Sequence, residues 1–100
     1  MDEKWTDVEG YEGRYQVSDA GRIKSFVTRH NIHSERIRKQ RKTNAGYLSI
    51  NLTDKHGKIS VYYVHRLVAQ SFIGTIPPKH EVNHINGNKT DNRAENLEIV

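Results

Sequence analysis

The stretch VNHINGNKTDNRAENLEIV, from Val82 to Val100, decides how the rest of the chain is read. It holds five asparagines in nineteen residues, Asn83, Asn86, Asn88, Asn92 and Asn96, around a single histidine, His84. Amide side chains at that density cannot build a core. Asn and Asp bond to nearby backbone groups and favour turns, and Gly87 offers a positive φ among them, so the middle of the stretch reads as a loop with an imposed conformation. Apolar residues stand only at the two ends, Val82 and Ile85 first, then Leu97, Ile99 and Val100. The pattern predicts strand, long structured loop, strand, with His84 where the first strand meets the loop.

A histidine in that position suits hydrolysis of a phosphodiester. Neutral imidazole, with a reference pKa of about 6.5, can take a proton from water near neutrality. A divalent metal held by oxygen ligands beside it would stabilise the charge developing on the phosphate. Asn83 offers an amide oxygen next to His84. Neighbours in a regular strand point to opposite faces, so a site shared by the two calls for a distortion where the loop begins. The alternative for His84 is a turn histidine in an ordinary polar loop.

Upstream of this stretch, Leu67, Val68 and Phe72 are spaced as one buried helical stripe, which predicts a short helix from His65 to Phe72 ended by Gly74. Ile76, Pro77 and Pro78 then form a stiff extended connector into the terminal hairpin. Tyr47 to Leu52 and Lys58 to Val64 alternate around Asp54 to Gly57, predicting a hairpin with Leu48, Ile50 and Leu52 inward and Tyr47, Ser49 and Asn51 outward. Arg14 to Ser18 and Arg22 to Phe26 alternate around Asp19, Ala20 and Gly21, predicting another. The fold class expected is α+β, antiparallel β-hairpins with one short helix and a terminal ββ hairpin.

One hundred residues bound the chain to one domain that buries roughly 60 to 70% of its unfolded surface. With 34% hydrophobic residues and a mean hydropathy of −0.85, the core must be thin. A net charge of +4 and a pI near 9.5 favour polyanionic partners, a balance shared with ribosomal and membrane-surface proteins. The absence of cysteine excludes a disulfide framework and a thiolate zinc site. No apolar run reaches the length of a membrane span or a signal sequence, so a cytoplasmic protein is the default expectation. Neither a Gly-rich phosphate loop, nor a serine-nucleophile signature, nor a repeat is found.

Between positions 36 and 42 five of seven residues are basic, Arg36, Arg38, Lys39, Arg41 and Lys42. Such a run is either a solvated edge that resists aggregation or a set of phosphate contacts whose affinity falls with salt. Arg14, Arg22 and Lys24 on the first hairpin, with Lys89 and Arg93 in the terminal loop, extend the same track, and a two-stranded ribbon can enter a major groove. Trp5, Tyr11 and Tyr15 read as packing anchors for a Gly-rich turn, with base stacking the alternative. His65 reads as a cap or packed residue ahead of a second metal ligand. His30, His33, His56 and His80 are expected in loops, exposed.

Val82 to Val100 also resembles the HNH nuclease motif of the ββα-metal superfamily, in the form found in phage and intron homing endonucleases. The family pattern H-x-D/N-G-N-K-x-x-N, followed by N-L-x-x-V, is met in register by His84, Asn86, Gly87, Asn88, Lys89, Asn92, Asn96, Leu97 and Val100. VHRLVAQSFIG, from Val64 to Gly74, resembles the helix that precedes the hairpin in these proteins. WTDVEGYEGRYQVSDAGRIKSF, from Trp5 to Phe26, resembles their N-terminal modular motif, matching at Trp5, Val8, Gly10, Tyr11, Glu12, Gly13, Tyr15, Val17, Ser18, Gly21, Ile23 and Ser25. Residues from Val27 to Tyr63 match only loosely.

The resemblance implies that His84 is the general base and that Asn96, the middle residue of the motif name, braces the loop that aims it. Asn83 stands where active relatives carry an aspartate metal ligand, and an uncharged amide oxygen should hold Mg²⁺, Mn²⁺ or another divalent ion more weakly. Double-stranded DNA is the implied partner, without a membrane, in a phage-encoded or bacterial protein. Residues 1–63 would be a β-rich DNA-binding region with the modular motif at 5–26, and residues 64–100 the nuclease region. The family pattern continues past the second strand into a helix carrying the final His or Asn, a second metal ligand, and the sequence ends at Val100 ahead of it. Two functions therefore stand at this point. One is a homing or nicking DNA endonuclease; the other is a non-catalytic DNA-binding module derived from one by truncation or decay.

Overall fold

The computed structural model describes residues 2–100, the side chains of Thr28 and Arg29 excepted. Where apolar alternation marks a strand, a strand forms. The first four, β1 (Trp5–Asp7), β2 (Tyr15–Ser18), β3 (Ile23–Arg29) and β4 (Ile32–Ile37), run as an antiparallel meander. Val17 lies opposite Ile23 and Tyr15 opposite Ser25, so the buried faces of β2 and β3 coincide. Ser18 closes their turn, its hydroxyl accepting from the amides of Ala20 at 3.2 Å and Arg22 at 3.1 Å.

β4 is the strand that periodicity does not disclose. All six of its residues are exposed, so no buried face selects apolar side chains at alternate positions. The ladder with β3 holds it, closed by a tight turn in which His30 and Asn31 both take positive φ, 50° and 64°. His33 therefore lies in a strand, exposed, and not in a loop; Arg36 lies in the same strand.

The second sheet comprises β5 (Arg41–Lys42), β6 (Leu48–Thr53) and β7 (Ile59–Tyr63). Asp54 fixes the β6–β7 turn by accepting from the amides of His56 at 2.8 Å and Lys58 at 2.9 Å. Ile50 and Leu52 face the core as the alternation predicts. Ser49 is buried as well, contrary to expectation, because β5 lies alongside and its hydroxyl donates to the Arg41 carbonyl at 3.3 Å.

Helix α1 (Val64–Phe72) follows β7 without a loop and buries Val64, His65, Leu67, Val68 and Ala69. The connector beyond it is not extended throughout. Pro77 and Pro78 lead into a turn, with the His80 amide donating to the Pro77 carbonyl at 3.1 Å and Lys79 at φ 67°. The chain then forms the terminal hairpin of β8 (Val82–His84) and β9 (Leu97–Ile99), paired Val82 to Ile99, Asn83 to Glu98 and His84 to Leu97.

One hydrophobic cluster joins all three sheets through α1. Val8, Tyr11, Tyr15, Val17 and Ile23 from the first meet Ile50 and Leu52 from the second, Val64, Leu67 and Val68 from the helix, and Val82 and Leu97 from the last. The Tyr11 and Tyr15 rings meet edge to face at 5.8 Å, and their hydroxyls pair with the Tyr62 hydroxyl at 2.9 Å and the Thr53 amide at 3.1 Å. These tyrosines are packing anchors whose polar tips are satisfied. Half-buried Trp5 carries the Lys24 ammonium 4.2 Å from its ring centroid. Because α1 draws the terminal hairpin against the N-terminal sheet, the Ala94 amide reaches the Asp19 carbonyl at 2.8 Å, joining the two ends of the sequence. Among the described residues no helix is long and apolar enough to cross a membrane.

Candidate active site

The loop between β8 and β9 is built by its own amides. Asn86 Oδ1 accepts from the Asn88 amide at 2.8 Å, and Asn88 Oδ1 accepts from the Thr90 amide at 3.1 Å and the Thr90 hydroxyl at 2.9 Å. Such side-chain turns substitute for a backbone ladder. Gly87, at φ 77°, lets the chain fold back so that its amide donates to the His84 carbonyl at 2.9 Å. Asn96 ties the far side down. Its Oδ1 accepts from the Asn86 amide at 3.1 Å, while its Nδ2 donates to Asn86 Oδ1 at 3.0 Å and to the Asp91 carbonyl at 2.9 Å. The Arg93 guanidinium grips Asp91 through two contacts of 2.8 Å, and Asn86 Nδ2 adds a third at 2.9 Å. These hold the Asp91 carboxyl well below the usual carboxylate range and raise Arg93 in return.

His84 is buried at the start of this loop, and its direct partner is Asn92. Nε2 lies 2.7 Å from Asn92 Oδ1, so with the amide oxygen as acceptor Nε2 carries the ring proton and Nδ1 keeps its lone pair. Nδ1 makes no hydrogen bond among the described residues. Asn96 therefore braces the loop but does not touch the imidazole. Asn92 was singled out only as a position in the family pattern, and nothing in its own residue type marks it as the one of five asparagines that would meet the ring.

Two further rings seat His84. His65, on the first turn of α1, lies 5.0 Å from it centroid to centroid and stacks on Tyr47 at 5.0 Å. Tyr47 is thus half-buried against the site, and not on a free outer face as its alternation suggests. His65 is a packed residue, with Nδ1 buried and lacking a partner among the described residues. Burial, then the positive charges that His84 and Arg66 would carry, lower its pKa to about 4, so it is neutral at physiological pH.

Asn83 projects from the exposed face of β8, which stays regularly paired through His84 without the distortion expected there. Its Nδ2 donates to Glu98 Oε1 across the hairpin at 2.9 Å. Asn83 and His84 nevertheless border one cleft of about 260 Å³, shared with Tyr47, Glu81, Gly87 and Lys89. Among the described residues no group of three or more His, Cys, Asp or Glu side chains could hold a metal ion. The Asn83 amide oxygen and the Glu98 carboxylate are hard donors of the type Mg²⁺ prefers, and Mg²⁺ characteristically fills most of its shell with water and phosphate oxygens. Of this pair, Asn83 borders the cleft with His84, and Glu98 reaches it through Asn83. The place of Glu98 opposite Asn83 depends on a register that a twelve-residue loop conceals in the sequence.

The basic residues divide by what they touch. Arg22 pairs with Glu3, Nε to Oε2 at 2.9 Å, and this contact lowers the Glu3 carboxyl to about 2. Lys24 pairs with Glu35 at 3.5 Å, and Arg93 with Asp91 and Glu95. Arg14 Nε donates to the Thr53 carbonyl at 3.0 Å. Lys89 donates to the Ala45 carbonyl at 2.9 Å and lies 4.8 Å from the Tyr47 ring centroid, at the mouth of the cleft beside His84. Arg36, Arg38, Lys39, Arg41 and Lys42 are all exposed and make no ion pair among the described residues. Arg38, Lys39 and Arg41 line a second cleft of about 200 Å³ with Ser49 and Asn51.

Comparison with known proteins bears on both halves of the chain. Residues 3–53 match the family model described as the NUMOD4 motif, and residues 62–100 match the one described as HNH endonuclease. The DNA endonuclease I-HmuI of Bacillus phage SP01 is 38% identical over 97 residues, covering 97% of this chain and 52% of that protein. An uncharacterized HNH endonuclease of Acanthamoeba polyphaga mimivirus is 41% identical over 102 residues, covering 98% of this chain and 24% of that protein. A solved structure of DNA binding and cleavage by the HNH homing endonuclease I-HmuI superposes with a TM-score of 0.82 at 36% identity, over 97% of this chain and 52% of that one. The chain spans about half the length, or less, of these relatives. Read with the His84 loop and the sheet that supports it, these matches establish that the chain belongs to the HNH endonuclease family, in the form that carries a NUMOD4 motif ahead of the nuclease region.

Proposed function

We propose that the protein is a homing or nicking endonuclease that hydrolyses phosphodiester bonds of double-stranded DNA with His84 as general base and a divalent metal, Mg²⁺ or Mn²⁺. The observation that carries this reading is the 2.7 Å contact of His84 Nε2 with Asn92 Oδ1; with that amide oxygen accepting, the ring proton sits on Nε2 and Nδ1 is left to accept one at the cleft it shares with Asn83 and Lys89. Nδ1 takes a proton from a water molecule, whose oxygen bonds to phosphorus as the bond to the leaving sugar oxygen breaks; that oxygen is then protonated from solvent. Asn96 serves the same step at one remove by fixing the loop through Asn86 and Asp91. Asn83, with Glu98, would hold the metal, which when bound would supply charge neutralisation at the phosphate.

Residues 1–63, with the modular motif at 5–26, serve mainly to bind DNA, and residues 64–100 carry the chemistry. Arg36, Arg38, Lys39, Arg41 and Lys42 are the principal phosphate contacts, since no acid among the described residues pairs with them. Lys89 holds phosphate beside the base and Arg14 extends the track at its edge, while Arg22, Lys24 and Arg93 stand along the same edge as weaker contacts, each already paired with a carboxylate. Relatives named for a Bacillus phage and a prophage support a phage-encoded protein acting in the bacterial cytoplasm.

The test is nicking of supercoiled plasmid with Mg²⁺ or Mn²⁺, set beside His84→Ala. Metal-dependent nicking that His84→Ala lacks is the expected result. Equal inactivity of both proteins, with salt-sensitive DNA binding retained, would leave a DNA-binding module in place of an enzyme.

A further inference from the structure

We infer that Gly21, in the NUMOD4 segment, is a positioning residue of the nuclease centre: its lack of a side chain lets the β2–β3 turn close on Asn92, which in turn sets the His84 ring. The inference rests on the reading of His84 as the base. A Cβ at Gly21 would stand 3.0 Å from Asn92 Cβ, 3.0 Å from its carbonyl oxygen and 3.1 Å from its carbonyl carbon. Two of those three atoms are backbone, which cannot swing aside as the end of a flexible side chain can.

Nor can the turn retreat. The Gly21 amide donates to the Ser18 carbonyl at 3.0 Å, and the Gly21 carbonyl accepts from Gln40 Nε2 at 2.8 Å. Asp19 is tied on both sides, its amide to the Lys4 carbonyl at 3.0 Å and its carbonyl to the Ala94 amide at 2.8 Å. A side chain at position 21 therefore displaces Asn92, whose Oδ1 is the partner of the buried His84 Nε2. Small displacements at such a contact release the ring tautomer and aim the lone pair elsewhere. The N-terminal motif thus contributes to the catalytic geometry directly, beyond any contact with DNA.

Gly21 also has a φ of 89°, so a substitution brings backbone strain in addition to the clash. Gly57 separates the two effects, having a φ of 83° and nothing within 4 Å of a built Cβ. The experiment measures the His84 tautomer by long-range ¹H–¹⁵N NMR, together with plasmid nicking in Mg²⁺, for the wild type, Gly21→Ala, Gly57→Ala and Asn92→Ala. The wild type and Gly57→Ala should hold the Nε2–H tautomer. Gly21→Ala should shift the tautomer population toward the mixture of Asn92→Ala and lose nicking activity several-fold while still binding plasmid.

Gly21→Asn, which tolerates the left-handed backbone better but adds the same Cβ, replaces Gly21→Ala if that protein does not fold. A folded variant at position 21 with the wild-type tautomer and rate overturns the inference. So does unfolding of both variants while Gly57→Ala folds, because the glycine is then a requirement of the fold alone. Nicking by His84→Ala at the wild-type rate would instead defeat the base assignment, and the tautomer measurement would still decide what Gly21 does.

Discussion

The environment of His65 ties the protein's stability to pH. It is buried against Tyr47 and His84, and its Nδ1 has no partner among the described residues, so protonation would strand a charge. With a folded pKa of about 4 against about 6.5 in the unfolded chain, the unfolded state takes up a proton between those values and the folded state does not. Stability is then full above pH 6.5 and falls as pH drops toward 4, by about 3 kcal/mol from this group. His65→Phe keeps an aromatic ring and removes the titration. Urea unfolding at pH 7, 5.5 and 4 should show a shallower loss for the variant than for the wild type; parallel curves would mean that His65 does not titrate in this way. At this scale the sequence singles out His84, Asn83 and Asn96 as candidates because they fall in a spaced motif, and His65 as packed because it stands at the start of a helix. It could not single out Asn92, one of five chemically equivalent asparagines, or Glu98, whose contact with Asn83 depends on register.

The β8–β9 loop is the element on which the site depends, and Asn96 supplies three of its closing hydrogen bonds, to the Asn86 amide, Asn86 Oδ1 and the Asp91 carbonyl. Asn96→Ala removes all three, taking a partner from the part-buried Asn86 amide and Asp91 carbonyl and from the Asn86 side chain. A loss of about 3 kcal/mol in unfolding free energy is expected, at roughly 1 kcal/mol per bond. Faster hydrogen exchange should appear at the Asn86 amide while β6 and β7 keep their protection. Unchanged stability and exchange would show that the loop holds its shape without Asn96. Elements with one buried face were legible for a simple reason: Val17 with Ile23, Ile50 with Leu52, and Val82 with Leu97 each leave an alternating apolar trace. β4 left none because it buries no face, and β5 was too short at two residues to have a period. The unforeseen burial of Ser49 follows from the unforeseen β5 beside it.

Over the whole molecule a net charge of +4 says little until the charges are sorted by partner. Arg22, Lys24 and Arg93 face Glu3, Glu35, Asp91 and Glu95, pairings created when sheet register and a local turn bring acids beside them, which composition cannot disclose. The run from Arg36 to Lys42 was visible as a basic cluster, but only the folded chain leaves its five cations without an acidic partner among the described residues. Each cation that meets a phosphate adds about 0.9 to the slope of log affinity against log salt. The triple substitution Arg38→Ala, Lys39→Ala, Arg41→Ala should therefore reduce that slope by about 3. Arg22→Ala should change it little, because Glu3 already neutralises that guanidinium, and the exposed pair itself contributes little to stability. Fluorescence anisotropy with a labelled duplex from 50 to 200 mM salt would measure both slopes. If the triple variant kept the wild-type slope and Arg22→Ala lost one unit, DNA would have to displace Glu3 from Arg22 on binding, and the principal phosphate track would lie on the first hairpin.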